Sequence, residues 1–166
     1  MNLQVDIQNA CAEPVPDEDD IRSWIEAALT HQLSDAEVSL RFVDEVEMSA
    51  LNFQYRQKSS PTNVLSFPAD LPEELQHPLL GDIVACPAVV EREASEQHKT
   101  SQQHWAHMLI HGSLHLLGYD HINAADADTM ELLETTILAT LGWPCPYSES
   151  LYSESPDQAT ERSATQ

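Results

Sequence analysis

Leu3, Val5 and Ile7 alternate with Gln4 and Asp6, the period-two pattern of a strand buried on one face. Residues 9–20 break that pattern with two prolines and five acidic residues, and read as a loop. The period then changes. Ile21, Trp24, Ile25, Ala28 and Leu29 recur at the spacing of one helix face, with Asp19 or Asp20 as the expected cap. Val38, Leu40 and Phe42 return to alternation and predict a second strand. A short helix is expected over 45–54, through Met48 and Leu51, and a third strand over Val64 to Phe67, stopped by Pro68. Asp70 to Pro78 carries two prolines and reads as a loop. Gly81 to Cys86 is apolar enough for a central strand, and Pro87 suits the first turn of the helix after it.

Residues 101–117 predict a helix that is apolar on most sides. Trp105, Leu109 and Leu116 lie on one side, Ile110 and Leu117 on another, and the remaining stripe is His104, His107, His111 and His115. Gly118 is placed to end it. A last helix is expected from about Ala124 to Leu141, with Met130, Leu133, Ile137 and Leu141 inward and Gly142 and Pro144 as its stop. From Ser148 onward polar residues dominate, which predicts a disordered acidic tail over 148–166 behind a domain of residues 1–147. Strands and helices are interspersed. The expected fold is a single small α+β (or α/β) domain: a four-stranded mixed sheet, about five helices, and the histidine helix packed on the sheet.

Charge changes the picture. Lys+Arg total 7 against Asp+Glu 28, a formal net charge of −21, which argues against coating a nucleic-acid duplex. Thr100 to Tyr119 lacks Asp, Glu, Lys and Arg, but its histidines and glutamines make it no membrane span. The opening MNLQVDIQNA has neither the basic nor the apolar region of a signal peptide. Cys11, Cys86 and Cys145 form no C-x-x-C pair, which suits reduced thiols and a cytoplasmic location.

The sharpest chemical signal is HGSLHLLGYDH, residues 111–121. His111 and His115 are one helical turn apart and project from one face. A turn at Gly118 would bring His121 to the same point. Three neutral imidazoles with one open position are what a catalytic zinc site uses, whereas a structural zinc takes four protein ligands. His104 and His107 have the simpler expectation of packing or outer-shell contact, and His31, His77 and His98 of surface positions. The spacing matches the metzincin protease signature, except that Gly112 stands where those proteases carry their glutamate base. Glycine moves no proton and costs about 1 kcal/mol mid-helix relative to alanine. That cost is understandable if another part of the chain approaches closely.

Met48 to Ala69 contains no Asp or Glu, yet holds Arg56 and Lys58, so it is a basic island in an acidic chain. Arginine can give a phosphate two donors. If Val64 to Phe67 enters the sheet beside the histidine helix, the island would face the metal. A solvated loop is the plainer alternative. One basic cleft on an acidic body would admit a flexible single strand.

YRQKSSPTNVLSFP (55–68), GDIVAC (81–86), WAHMLIHGSLHLLGYDH (105–121) and LGWPCPY (141–147) resemble the YbeY family over roughly residues 1–147. These are ribosomal-RNA maturation factors described as single-strand-specific, metal-dependent endoribonucleases. The resemblance implies a small α+β fold, one zinc ion on His111, His115 and His121, and Arg56 as the functionally required arginine. It implies action at the 3′ end of 16S rRNA and in ribosome quality control. The implied partners are the small ribosomal subunit, one of its proteins, and the GTPase Era. Asn63 stands where many members carry Asp.

The implied chemistry is metal-assisted phosphodiester cleavage by water or by the RNA's own 2′-hydroxyl. Asp82, Asp120 and His107 are candidate bases, and Asp120 could instead orient His121. Two other classes stay open: a metallohydrolase on another substrate, and a ribosome-assembly factor whose metal is structural.

Overall fold

The computed structural model describes residues 1–75, 77–120 and 123–147. Four strands form one sheet: β1 (Asn2–Asn9), β2 (Asp35–Phe42), β3 (Val64–Pro68) and β4 (Leu79–Ala85). Their spatial order is β1-β2-β4-β3. β1, β2 and β4 run parallel, and β3 lies antiparallel on the edge of β4. The helices are α1 (Glu18–Leu29), α2 (Glu45–Arg56), α3 (Pro87–Glu96), α4 (Ser101–Leu116) and α5 (Ala124–Thr140). The α+β architecture, the mixed four-stranded sheet and the central place of β4 are as expected. Among the described residues no helix is long and apolar enough to cross a membrane.

The sheet has two differently built faces. Along β2, Ala36, Val38, Leu40 and Phe42 are buried at alternate positions, and the Phe42 ring meets Trp105 of α4 edge-on at 5.5 Å. α1 and α4 pack together on this side, with Ile21, Trp24, Ile25, Ala28 and Leu29 of α1 all buried. Each such large side chain contributes roughly 1.5–3 kcal/mol of burial. The other face carries a smaller cluster of Val43, Met48, Leu65, Val84, Cys86 and Val89, so α2 covers that side near β3.

Three boundaries differ from the sequence expectation. α1 starts at Glu18 with Asp17 in the cap position, not Asp19 or Asp20. The earlier start places Glu18, Asp19 and Asp20 in the first turn, where carboxylates meet the positive end of the helix. β3 runs through Pro68, which pairs with Gly81, because an edge strand tolerates a residue without an N–H. β4 begins at Leu79, and a single turn of 3-10 helix covers Glu73–Leu75.

Contacts divide the chain into two compact units, Met1–Tyr119 and a second that begins at Asp120. In the second, Met130, Glu134, Ile137 and Leu138 of α5 are buried, while Leu133 and Leu141 are only half-buried. The Tyr147 hydroxyl donates to the buried Glu134 carboxylate at 2.5 Å. The tail expected over 148–166 lies outside the described residues.

Candidate metal centre

Thr100 starts α4 by accepting the Gln103 N–H on its side chain. From His104 to Ile110 every residue of the helix is buried. The four imidazoles form a row along it, with successive ring centroids 6.2, 6.3 and 4.5 Å apart. His104 and His107 are buried; His111 and His115 are half-buried. His31, His77 and His98 are exposed, as expected.

The inner end of the row is a polar network. His104 Nε2 lies 2.9 Å from Glu93 Oε1, and Asn63 Nδ2 donates to both Glu93 oxygens at 3.1 and 3.2 Å. Burial works to raise the Glu93 pKa. The hydrogen bonds from His104 and then Asn63, with the charges of His104 and His107, outweigh it and hold the carboxyl below its ordinary value. Asn63 also accepts the Val64 N–H on Oδ1 at 2.6 Å. An aspartate could keep that turn contact but would set a second carboxylate against Glu93. Asn63 therefore fits this chain's own network. Glu93 went unnoticed in the sequence. Its signal was position: it is one turn on from Val89 and Val90, on the apolar face of a short helix.

At the outer end, His111 Nε2 and His115 Nε2 face each other at 3.1 Å. Two nitrogens so close can share a proton or an ion. A tetrahedral zinc with bonds near 2.05 Å would hold its ligands about 3.3 Å apart. The pair therefore fits as two ligands of one ion. His121, the expected third ligand, lies outside the described residues, and among those described no group of three metal-ligating side chains occurs.

Gly112 answers why the residue after His111 has no side chain. Its carbonyl accepts the Ser66 hydroxyl at 2.9 Å, and a Cβ there would come within 3.2 Å of Ser66 Oγ and 3.4 Å of Ile83. α4 is thus seated on β3 and β4 beside the histidine pair. Gly118, at φ +104, ends the helical run with a conformation that side chains rarely adopt.

β3 does enter the sheet next to α4, but alternation sends its side chains both ways. Val64 and Ser66 face α4. Leu65 and Phe67 face α2, which ends at Arg56. Arg56, the last residue of α2, is exposed. Asp82 pairs with Phe67 and so points away from α4, which leaves it poorly placed as a base.

A family model for endoribonuclease YbeY matches residues 6–142. The chain belongs to the YbeY family. A relative named Endoribonuclease YbeY in Cellvibrio japonicus is 57% identical over 153 residues, 91% of this chain and 86% of its own. One of the same name in Pseudomonas fluorescens is 55% identical over 148 residues, 89% of this chain and 97% of its own. Among solved structures, TM1509 from Thermotoga maritima superposes with a TM-score of 0.54 at 25% identity, covering 84% of this chain and 91% of that one. The histidine helix, the β3 edge and the α2 terminus all fall within the span matched to YbeY.

Proposed function

We propose that this chain is a zinc-dependent endoribonuclease that cleaves single-stranded ribosomal RNA, maturing the 16S 3′ end and serving ribosome quality control in the cytoplasm. The observation that carries the metal-centred reading is the 3.1 Å approach of His111 Nε2 to His115 Nε2. Family membership carries the choice of RNA. The small ribosomal subunit, one of its proteins and the GTPase Era are the proposed partners. The free thiols of Cys11, Cys86 and Cys145 suit a reducing compartment.

His111, His115 and His121 would hold one zinc ion, which when bound supplies a Lewis acid for a phosphodiester. To act as ligands, His111 and His115 must be neutral and aim their Nε2 lone pairs at one shared point, which leaves each ring proton on Nδ1. Ser66 holds the Gly112 carbonyl, next to His111, at 2.9 Å. Arg56 offers two N–H donors to phosphate oxygens and offsets charge that grows on them. His107, buried beside His111, excludes water from the inner side of the pair.

The test is cleavage of ribosomal 3′-region RNA by wild type, Arg56→Ala and His115→Ala prepared identically, with zinc content measured on each. Cleavage by the wild type that both variants lose supports the reading. Equal activity in all three means a contaminant. Zinc bound with no cleavage turns the reading toward an assembly factor, whose acidic body could dock on basic ribosomal protein.

A further inference from the structure

Five of the chain's seven Lys and Arg residues divide into two groups. Arg22, Arg41 and Arg92 each pair with a glutamate, at 3.5, 2.8 and 2.7 Å. Arg56 and Lys58 make no ion pair among the described residues, and the sequence offers them no Asp or Glu from Met48 to Ala69. A chain with net charge −21 leaves these two positive charges uncommitted. Beside them stand two aromatic rings that a soluble surface would ordinarily cover. Phe53 is 61% exposed and Tyr55 57%. Tyr55 leans on Phe67 of β3 with ring centroids 4.8 Å apart. The backbone under them is fixed. Gln57 closes α2 in a left-handed conformation, and buried Asn52 donates to the Ser60 carbonyl at 2.8 Å, tying down the segment that carries Lys58.

This platform and the histidine pair meet at consecutive residues of one edge strand. Ser66 holds Gly112, next to His111, on one face of β3; Phe67 holds Tyr55, next to Arg56, on the other. We infer that the C-terminal end of α2 is a docking platform for single-stranded RNA, in which Phe53 and Tyr55 stack bases, Arg56 and Lys58 hold phosphates, and the strand then crosses the β3 edge to the histidines. The inference rests on the nuclease reading above and adds the residues that would take the substrate. Charge complementarity selects a polyanion over a second acidic protein. The rings select unpaired bases, because a duplex hides its base faces and is too stiff to curl over a strand about 4.8 Å wide.

Binding of a short fluorescent oligoribonucleotide by the full chain, followed by anisotropy beside a gel assay for cleavage, tests this. Phe53→Ala is expected to raise Kd about fivefold or more, the loss of one stacked base. Phe53→Tyr is expected to keep wild-type affinity. Lys58→Ala is expected to flatten the salt dependence by about 0.7 in log–log slope. Leu75→Ala, an equally exposed apolar residue outside the island, serves as the control and stays unchanged. Wild-type affinity in both Phe53→Ala and Lys58→Ala overturns the platform, leaves the nuclease reading intact if cleavage persists, and assigns the α2 face to a protein partner. Weakened binding in those variants without cleavage in any protein keeps the platform and removes the nuclease. A wild type that neither binds nor cleaves the RNA removes both.

Discussion

The two ends of α4 carry the same side chain for opposite purposes. At the inner end, His104 is 2% exposed and its Nε2 is committed to Glu93. At the outer end, His111 and His115 are half-buried and point their Nε2 atoms at each other. The inner imidazole is tied to a carboxylate, whereas the outer two face each other across 3.1 Å. Depth and neighbours, not residue type, separate the two kinds of histidine on this helix.

On the proposed zinc reading, the contrast breaks most severely if His115→Ala still retains the ion. Outer-shell groups alone are worth 10–100-fold in metal affinity, so losing a ligand should cost at least about a hundredfold. Stability should fall by less than about 1 kcal/mol, since the ring is only half-buried. Metal content after dialysis and a thermal melt of the metal-free protein read the two effects separately. His104→Ala should show the reverse. It leaves a cavity and strips Glu93 of its closest partner, so a loss of about 2–3 kcal/mol in stability is expected, with zinc stoichiometry unchanged. Loss of zinc at unchanged stability in His104→Ala would erase the distinction between the two ends.

A smaller effect sharpens the inner end. The Glu93 carboxyl titrates below its ordinary 4.5 in the folded chain. A depressed carboxylate contributes stability that is fully present above the unfolded pKa and lost as pH falls through the folded one. Glu93→Gln should therefore be less stable than wild type at neutral pH, and the gap should narrow on acidification below 4.5. Parallel melting curves for the two proteins from neutral to acid pH would show that the His104 and Asn63 contacts add nothing to stability.

Much of this was legible in the sequence, and the failures have physical causes. Alternation located β1 and β2 because each buries one face. The H-x-x-x-H spacing located the outer pair because helical pitch fixes which residues share a face. Spacing carries no depth, so the four histidines read as one uniform stripe. Leu138 and Glu134 were missed on α5 because its leucines surround the helix and favour no single face. β3 lies beside α4 as the sequence suggested, and its alternate residues Leu65 and Phe67 pack against α2 on the other face. Which face of an edge strand a neighbouring helix takes is a tertiary choice that local pattern does not encode.

The smallest expected effect probes the seat between the two ends. Gly112→Ala gains about 1 kcal/mol of helix propensity. Against that, the new methyl group would sit 3.2 Å from Ser66 Oγ and 3.4 Å from Ile83, which must give by a few tenths of an ångström. The two terms oppose each other, so net stability should move by less than about 1 kcal/mol. The displacement falls next to His111, however, and metal ligands tolerate only about 0.2 Å of error. Zinc affinity should therefore drop while the melting temperature barely changes. A double variant with Ser66→Ala, which removes the nearest atom, should recover part of that affinity. If Gly112→Ala binds zinc as wild type does, the close approach of β3 to α4 has no part in holding the pair, and Gly112 is there only to let the helix touch the sheet.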